Sequence, residues 1–255
     1  MAVDGSKIVL KDINLVYPVT TGISKVFRQS LIGAVVGGVV EIDEEHKEVR
    51  IQALKDITLQ LNTGTRTALL GHNGSGKSTL LKVMAGILHA DSGCRLISGK
   101  IAPLLDTYVG LDDESTAHEN IYLRGLLLGM STDELNNTVE SIVELANLGD
   151  FIHLPLRTLS SGMRNRLAFA ISISVQPDIL LIDEGFGAGD WKFMETASKH
   201  FNKLLAETQL LVLATHNEEL MRRFCNQGVV LVKGSIKFVG PIEKAISFYK
   251  NPSSG

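Results

Sequence analysis

The chain has 255 residues, with 25 Lys and Arg against 28 Asp and Glu and a net charge of −3. That length buries a large core, as one big domain or two lobes, while the balanced charge offers no basic field for a nucleic-acid backbone and argues against such a partner. Cys94 and Cys225 have no metal-ligand spacing between them and read as small buried apolar residues of a reducing compartment, without a disulfide framework.

Residues 1–7 are polar and acidic where a secretory leader would be charged and then apolar, so no signal peptide is expected. Residues 8–17 nearly alternate apolar and polar side chains, which predicts an opening antiparallel strand ended by Pro18. Tyr17 at its end either offers a ring face to a nucleotide base or packs into the core. In residues 25–32 and the turn after them, Phe27, Leu31, Ala34 and Val35 share one helical face, which predicts a short amphipathic helix ending at Gly37-Gly38. It packs on its own domain or faces a partner or the membrane interface. The most apolar stretch, residues 31–40, is about half the roughly 20 residues that a membrane span needs, so no transmembrane helix is expected. The charged run at 41–48 reads as a solvated loop.

Residues 49–54 and 57–61 resume strand character before the turn Asn62-Thr63-Gly64. The apolar run 67–70 then meets Gly71-His72-Asn73-Gly74-Ser75-Gly76-Lys77-Ser78-Thr79, which fits G-x-x-x-x-G-K-[ST], a phosphate-binding loop between a strand and a helix. Its glycines let the backbone curl round an anion so that successive N–H groups and the positive end of the following helix point at phosphate oxygens. Lys77 would reach the β- and γ-phosphates, and the Ser78 hydroxyl suits Mg²⁺. Short β structure is expected at 93–101. Helices follow from 116 to 175, including 117–128, 132–148 with Ser131 or Thr132 as cap, and 165–175 with Ser160 or Ser161 as cap.

Residues 179–182 form an apolar run closed by Asp183-Glu184, as expected of a parallel strand buried on both faces, and residues 210–215 repeat the design before His216. In open α/β sheets ligands lie beyond the carboxyl ends of the strands. Three strands ending at Gly71, Asp183-Glu184 and His216 therefore predict one site. There Asp183 would hold Mg²⁺ opposite Ser78, Glu184 would deprotonate the attacking water, and His216 would hydrogen-bond the γ-phosphate.

Leu159-Ser160-Ser161-Gly162-Met163-Arg164 resembles the signature motif of ABC ATPases, and the phosphate loop, Asp183-Glu184, Asp190 and His216 follow in that family's order. The resemblance implies an α/β P-loop NTPase core of RecA-like type with an antiparallel β subdomain and an inserted helical subdomain. Residues 1–255 would form a single nucleotide-binding domain, with a family-specific insertion at about 20–50 and the helical part at about 107–175. It also implies that Ser160, Ser161 and Gly162 complete the ATP site of a second, head-to-tail copy, so that a homodimer encloses two ATPs.

Within that family the chain looks most like the Wzt-type subunits of O-antigen, capsule and teichoic acid exporters. The resemblance is carried by residues 101–106, His118-Glu119-Asn120-Ile121-Tyr122-Leu123-Arg124-Gly125, residues 159–170 and the interruption between Tyr17 and Leu54. It implies two integral permease subunits, a lipid-linked glycan handled indirectly, and a place on the cytoplasmic face of the bacterial inner membrane. An importer or drug exporter, or a regulatory ATPase, are the rival expectations. Asp106-Thr107 stands near the glutamine of the family's Q-loop, where Asp106 would serve as a metal-side ligand, and Gly185 replaces the usual proline. No C-terminal carbohydrate-binding domain is expected within this chain.

Overall fold

The structure is a computed structural model describing residues 5, 7–19, 39–43, 48–105, 108–183 and 191–251. The expected helix at 25–32, Asp106 and Thr107, and residues 184–190 with Glu184, Gly185 and Asp190 lie outside the described residues. The chain divides into two compact units, Met1–Ser98 with Val212–Gly255, and Gly99–Leu211.

The first unit contains an antiparallel sheet of β1 (Lys7–Val19), β2 (Val39–Asp43), β3 (Glu48–Asn62) and β5 (Ser92–Ser98), in the order β2-β3-β1-β5. Ile8, Leu10, Ile13 and Leu15 of β1 and Leu54, Ile57, Leu59 and Leu61 of β3 are buried, the alternation expected of a sheet with one covered face. Three expectations change here. Pro18 does not end the first strand but pairs with Arg50 inside it. β5 accompanies β1 only as far as Asn14, so beyond that point one side of β1 has no ladder among the described residues to lose a donor from. Residues 49–54 and 57–61 form one strand, bent where Asp12 (φ 52°) and Asp56 (φ 49°) break the register. Asn14 seals the irregularity: its Oδ1 accepts from Asp56 N at 3.0 Å. Part of the charged run is the edge strand β2, paired with β3 from Val39↔Gln52 to Asp43↔Glu48. An edge position tolerates charge.

The same unit holds β4 (Arg66–Leu70), α1 (Lys77–Ala85), β9 (Gln227–Val232), β10 (Ser235–Pro241), α6 (Glu218–Phe224), α7 (Ile242–Lys250) and the last residues of β8 (Leu210–Ala214), in the strand order β10-β9-β4-β8. β4 and β9 are parallel, and residues 67–70 and 228–231 within them are buried. Cys225 is buried, which pushes its thiol up to about 12, whereas Cys94 is exposed on the edge strand β5, against expectation.

In the second unit β6 (Ile101–Leu104) and β7 (Ile179–Ile182) pair in parallel, and all four residues of β7 are buried. Asp178 aligns their starts: its Oδ2 accepts from Lys100 N at 2.7 Å, and its carbonyl accepts from Gln209 N and Leu210 N at the start of β8. The helices here are α2 (Ala117–Leu127), α3 (Thr132–Ala146), α4 (Ser161–Ile173) and α5 (Trp191–Glu207). Thr116 with Glu119 and Ser131 with Glu134 form reciprocal capping boxes that start α2 and α3. Asn147, in the left-handed conformation, ends α3 two residues earlier than the apolar pattern suggests.

The fully buried Asn120 organises the loop before α2: its Nδ2 donates to the carbonyls of Asp112 (2.9 Å), Ser115 (3.2 Å) and Thr116 (2.9 Å), while its Oδ1 accepts from Asp112 N at 2.7 Å. Asn120→Ala should therefore destabilise the protein by about 1–3 kcal/mol, the cost of stranding buried main-chain groups, read as a lower urea midpoint.

Hydrogen bonds from the Ser131 backbone and hydroxyl hold the Glu134 carboxyl below its ordinary 4.5, and those from Thr116 do the same for Glu119. As pH falls the unfolded chain takes up these protons first, so the stabilisation is complete above about 4.5 and is lost as pH drops through the folded values. Melting temperatures measured from about pH 5 to 3 should fall less steeply for Glu134→Gln than for the parent.

Candidate functional site

β4 delivers Gly71 into a tight loop that ends as α1 begins. Gly71 (φ 154°) has no room for a side chain: a Cβ would lie 2.3 Å from Ser75 Oγ and 2.5 Å from the Leu231 carbonyl oxygen. The loop closes on itself through Ser75 N donating to His72 O at 3.1 Å, and Leu80 N donates to Gly76 O at 2.8 Å as the helix takes over. Lys77 is 7% exposed, and its Nζ donates to Gly71 O at 2.6 Å and His72 O at 3.1 Å. The ammonium thus stands at the centre of the loop. His72, Asn73, Gly74 and Ser78 are exposed at its rim, and Thr79 is half-buried. The Ser75 hydroxyl is buried with no hydrogen-bond partner among the described residues, and a loop that exposes main-chain groups around a cation fits an anionic ligand.

Two neighbours brace this loop, and the sequence analysis did not single out either. The hairpin between β9 and β10 turns through Lys233 (φ 48°) and Gly234 (φ 77°), and Gly234 N donates to Ser75 O at 3.0 Å while its carbonyl accepts from Lys55 N at 2.8 Å. A Cβ on Gly234 would be 2.7 Å from the Ala53 carbonyl oxygen. A Lys-Gly pair between an apolar run, residues 229–232, and an alternating one, residues 235–239, is the available signal for that hairpin. The second brace is α7, whose Tyr249 ring lies 5.2 Å from the His72 ring. Helical spacing predicts α7 but not what it touches.

His216 follows β8 and is exposed, with its Nε2 3.1 Å from Asn73 Oδ1, so the first unit brings His216 and the phosphate loop together. Asn217 next to it caps α6 by accepting from Glu219 N and Leu220 N. Tyr17 is 37% exposed near the end of β1, with a ring available to a ligand. In the second unit Asp183 directly follows β7, half-buried, its N donating to Leu104 O at 3.1 Å. Ser78 and Asp183 carry hard oxygen donors, the chemistry that Mg²⁺ selects.

Also in the second unit, the signature segment opens α4. Ser160 is the cap, accepting from Met163 N at 3.3 Å, while Ser161 is the first helical residue. A Cβ on Gly162 would meet nothing within 4 Å. The loop preceding α2 is tied to this helix start: Tyr108 donates to Asn165, and Arg164 pairs with Asp113 at 3.0 Å. Arg124, 1% exposed, donates to the Val109 carbonyl and to Ser172 Oγ from within the core.

A profile of the ABC transporter family matches residues 54–187. The chain belongs to the ABC transporter family. It is the ATP-binding cassette of that family, an ATPase. Among its relatives, the O-antigen export system ATP-binding protein RfbE of Yersinia enterocolitica is 39% identical over 91% of this chain and 96% of its own length. The RfbB protein of Klebsiella pneumoniae, of the same description, is 35% identical over 78% of this chain and 80% of that one. The teichoic acids export ATP-binding protein TagH of Listeria monocytogenes is 36% identical over 77% of this chain, which spans only 58% of that protein. Among solved structures, a dimeric ATP-binding cassette in a post-hydrolysis state bound to ADP and Pi superposes with a TM-score of 0.64 at 21% identity, covering 92% of this chain and 98% of that one. The ATP-binding subunit of an ABC transporter gives 0.67 at 20% identity over 97% and 95%. These likenesses establish the cassette fold, the α/β P-loop NTPase class read from the sequence.

Gly71→Ala should abolish the loop's shape while leaving the sheet behind it intact. We expect ATP affinity to fall by more than about tenfold with the far-ultraviolet circular dichroism unchanged; unchanged affinity would separate this loop from nucleotide binding.

Proposed function

We propose that this cassette is the ATP-hydrolysing subunit of an exporter that moves a lipid-linked polysaccharide, such as an O-antigen, across the bacterial inner membrane. The observation that carries the reading is the 39% identity to RfbE along almost the whole of both chains. Its place would be the cytoplasmic face, on a pair of integral permease subunits. No helix among the described residues is long and apolar enough to cross a membrane, so translocation would fall to such a partner.

In this reading two copies close head to tail on two ATPs and reset on hydrolysis. The triphosphate lies along the loop from Gly71 to Thr79, with Lys77 as its point charge and Tyr17 against the base. His216 contacts the γ-phosphate from its position beside Asn73, and Glu184 accepts the proton of the attacking water. Ser78 and Asp183, with Asp106 at the Q-loop position, would hold Mg²⁺, which neutralises charge on the phosphates when bound. Ser160, Ser161 and Gly162 face the partner's ATP. The open space around Gly162 and the exposure of both serines support an outward role, because packing among the described residues does not require a glycine there.

Glu184→Gln tests the assignment: phosphate release should fall roughly 10²–10⁴-fold, the reach of a general base, while ATP binding persists and the protein elutes at twice its mass with ATP. Supplied with its permease in cells lacking their own export ATPase, the parent should restore surface polysaccharide and this variant should not. Near-normal turnover would remove Glu184 from its role, and a monomer at saturating ATP would remove the dimer. An active parent ATPase that restores no polysaccharide would point to another cargo.

A further inference from the structure

Helix α7 reaches the phosphate loop through its last turn. Its Tyr249 ring lies 5.2 Å from the His72 ring at 48°, and Tyr249 Oη is 3.4 Å from His72 Nδ1. His72 is exposed on its loop, yet its carbonyl receives the Lys77 ammonium. The same carbonyl accepts from Ser75 N at 3.1 Å, and the ring contact adds a side-chain hold on the residue to that main-chain one. The helix that supplies the neighbour is itself fixed. Ala245 and Ile246 are buried, and a Cβ on Gly228 of β9 would lie 2.3 Å from the Ala245 Cβ, so α7 sits hard against the strand. Phe248 stacks on Phe238 of β10 with centroids 5.2 Å apart.

The last turn of α7 grips a second element as well. Lys250 Nζ lies 2.8 Å from Glu218 Oε1, and Arg222 bridges Glu218 (3.0 Å) and Glu243 (3.1 Å), joining α6 to α7. Glu218 opens the helix that follows His216, which itself meets Asn73. Adjacent residues of one helix turn therefore hold the loop through His72 and the helix behind His216 through Glu218.

We propose that Tyr249 is a positioning residue for the nucleotide site, its ring fixing His72 so that the His72 carbonyl keeps Lys77 in place. The inference rests on the reading of the Gly71–Thr79 loop as the phosphate site. Tyr249 touches no substrate in this scheme; it acts through His72 alone.

The test is calorimetric titration of the full chain with ADP. Tyr249→Ala should weaken binding about three- to tenfold, the range of one aromatic contact, and Tyr249→Phe, which keeps the ring, should stay within about twofold of the parent. His72→Ala should show the same loss as Tyr249→Ala, and the double variant should lose no more than either alone, because the two residues act as one unit. A lowered melting temperature with unchanged ADP affinity would make Tyr249 a packing residue only, and additive losses would show that it acts by another route. Either result overturns the proposal. If Tyr249→Ala does not fold, Tyr249→Leu keeps the bulk without the ring and is judged by the same criteria. Lys77→Ala serves as the control: affinity equal to the parent would sink the phosphate-site reading itself, and the proposal with it.

Discussion

A buried cation held by two carbonyl oxygens sets the terms for the first unit. An ammonium with the exposure of Lys77 is costly to desolvate unless its protons are taken, and main-chain oxygens of the loop that curls round it take them. The loop must keep that curl. It does so through Gly71, which cannot carry a side chain against Ser75 and Leu231, and through Gly234, which hands a hydrogen bond to Ser75 from the neighbouring hairpin. The charge, the tight turn and the supporting hairpin form one arrangement, and the strands β4 and β9 carry it at their ends.

Features written in a short window were legible in the sequence. The phosphate loop, the buried runs that became β7 and β8, and the Ser131 and Ser160 caps depend on residues within a few positions of each other, so local chemistry decides them. Features set by distant partners were not. Residues 39–43 became a strand because β3 offered an open edge, overriding a charged composition. Pro18 stayed within β1 because β5 had already departed. The Tyr249 contact joins residues 177 positions apart, and no periodicity encodes such a meeting. Cys94 is exposed for the same reason: its strand lies at the margin of its sheet.

The segment His118–Gly125, one of those that carried the subclass resemblance, proves to be framework. Glu119 closes a capping box, Asn120 and Arg124 anchor the loop ahead of α2, and a Cβ on Gly125 would come within 2.3 Å of Leu135. None of these residues needs a cargo to explain it. Similarity at such a stretch reports shared architecture, and the case for polysaccharide export rests instead on the length over which RfbE and this chain agree.

The first unit is assembled from two stretches of chain, with Gly99–Leu211 intervening. During synthesis β4 emerges long before β9, its parallel neighbour, and the hairpin that steadies Ser75 is made later still. The intervening unit is contiguous, so on the ribosome its helices can form while the phosphate loop waits for its buttress. Until residue 234 has left the exit tunnel, nascent chains therefore carry the nucleotide-binding motif without the architecture that shapes it.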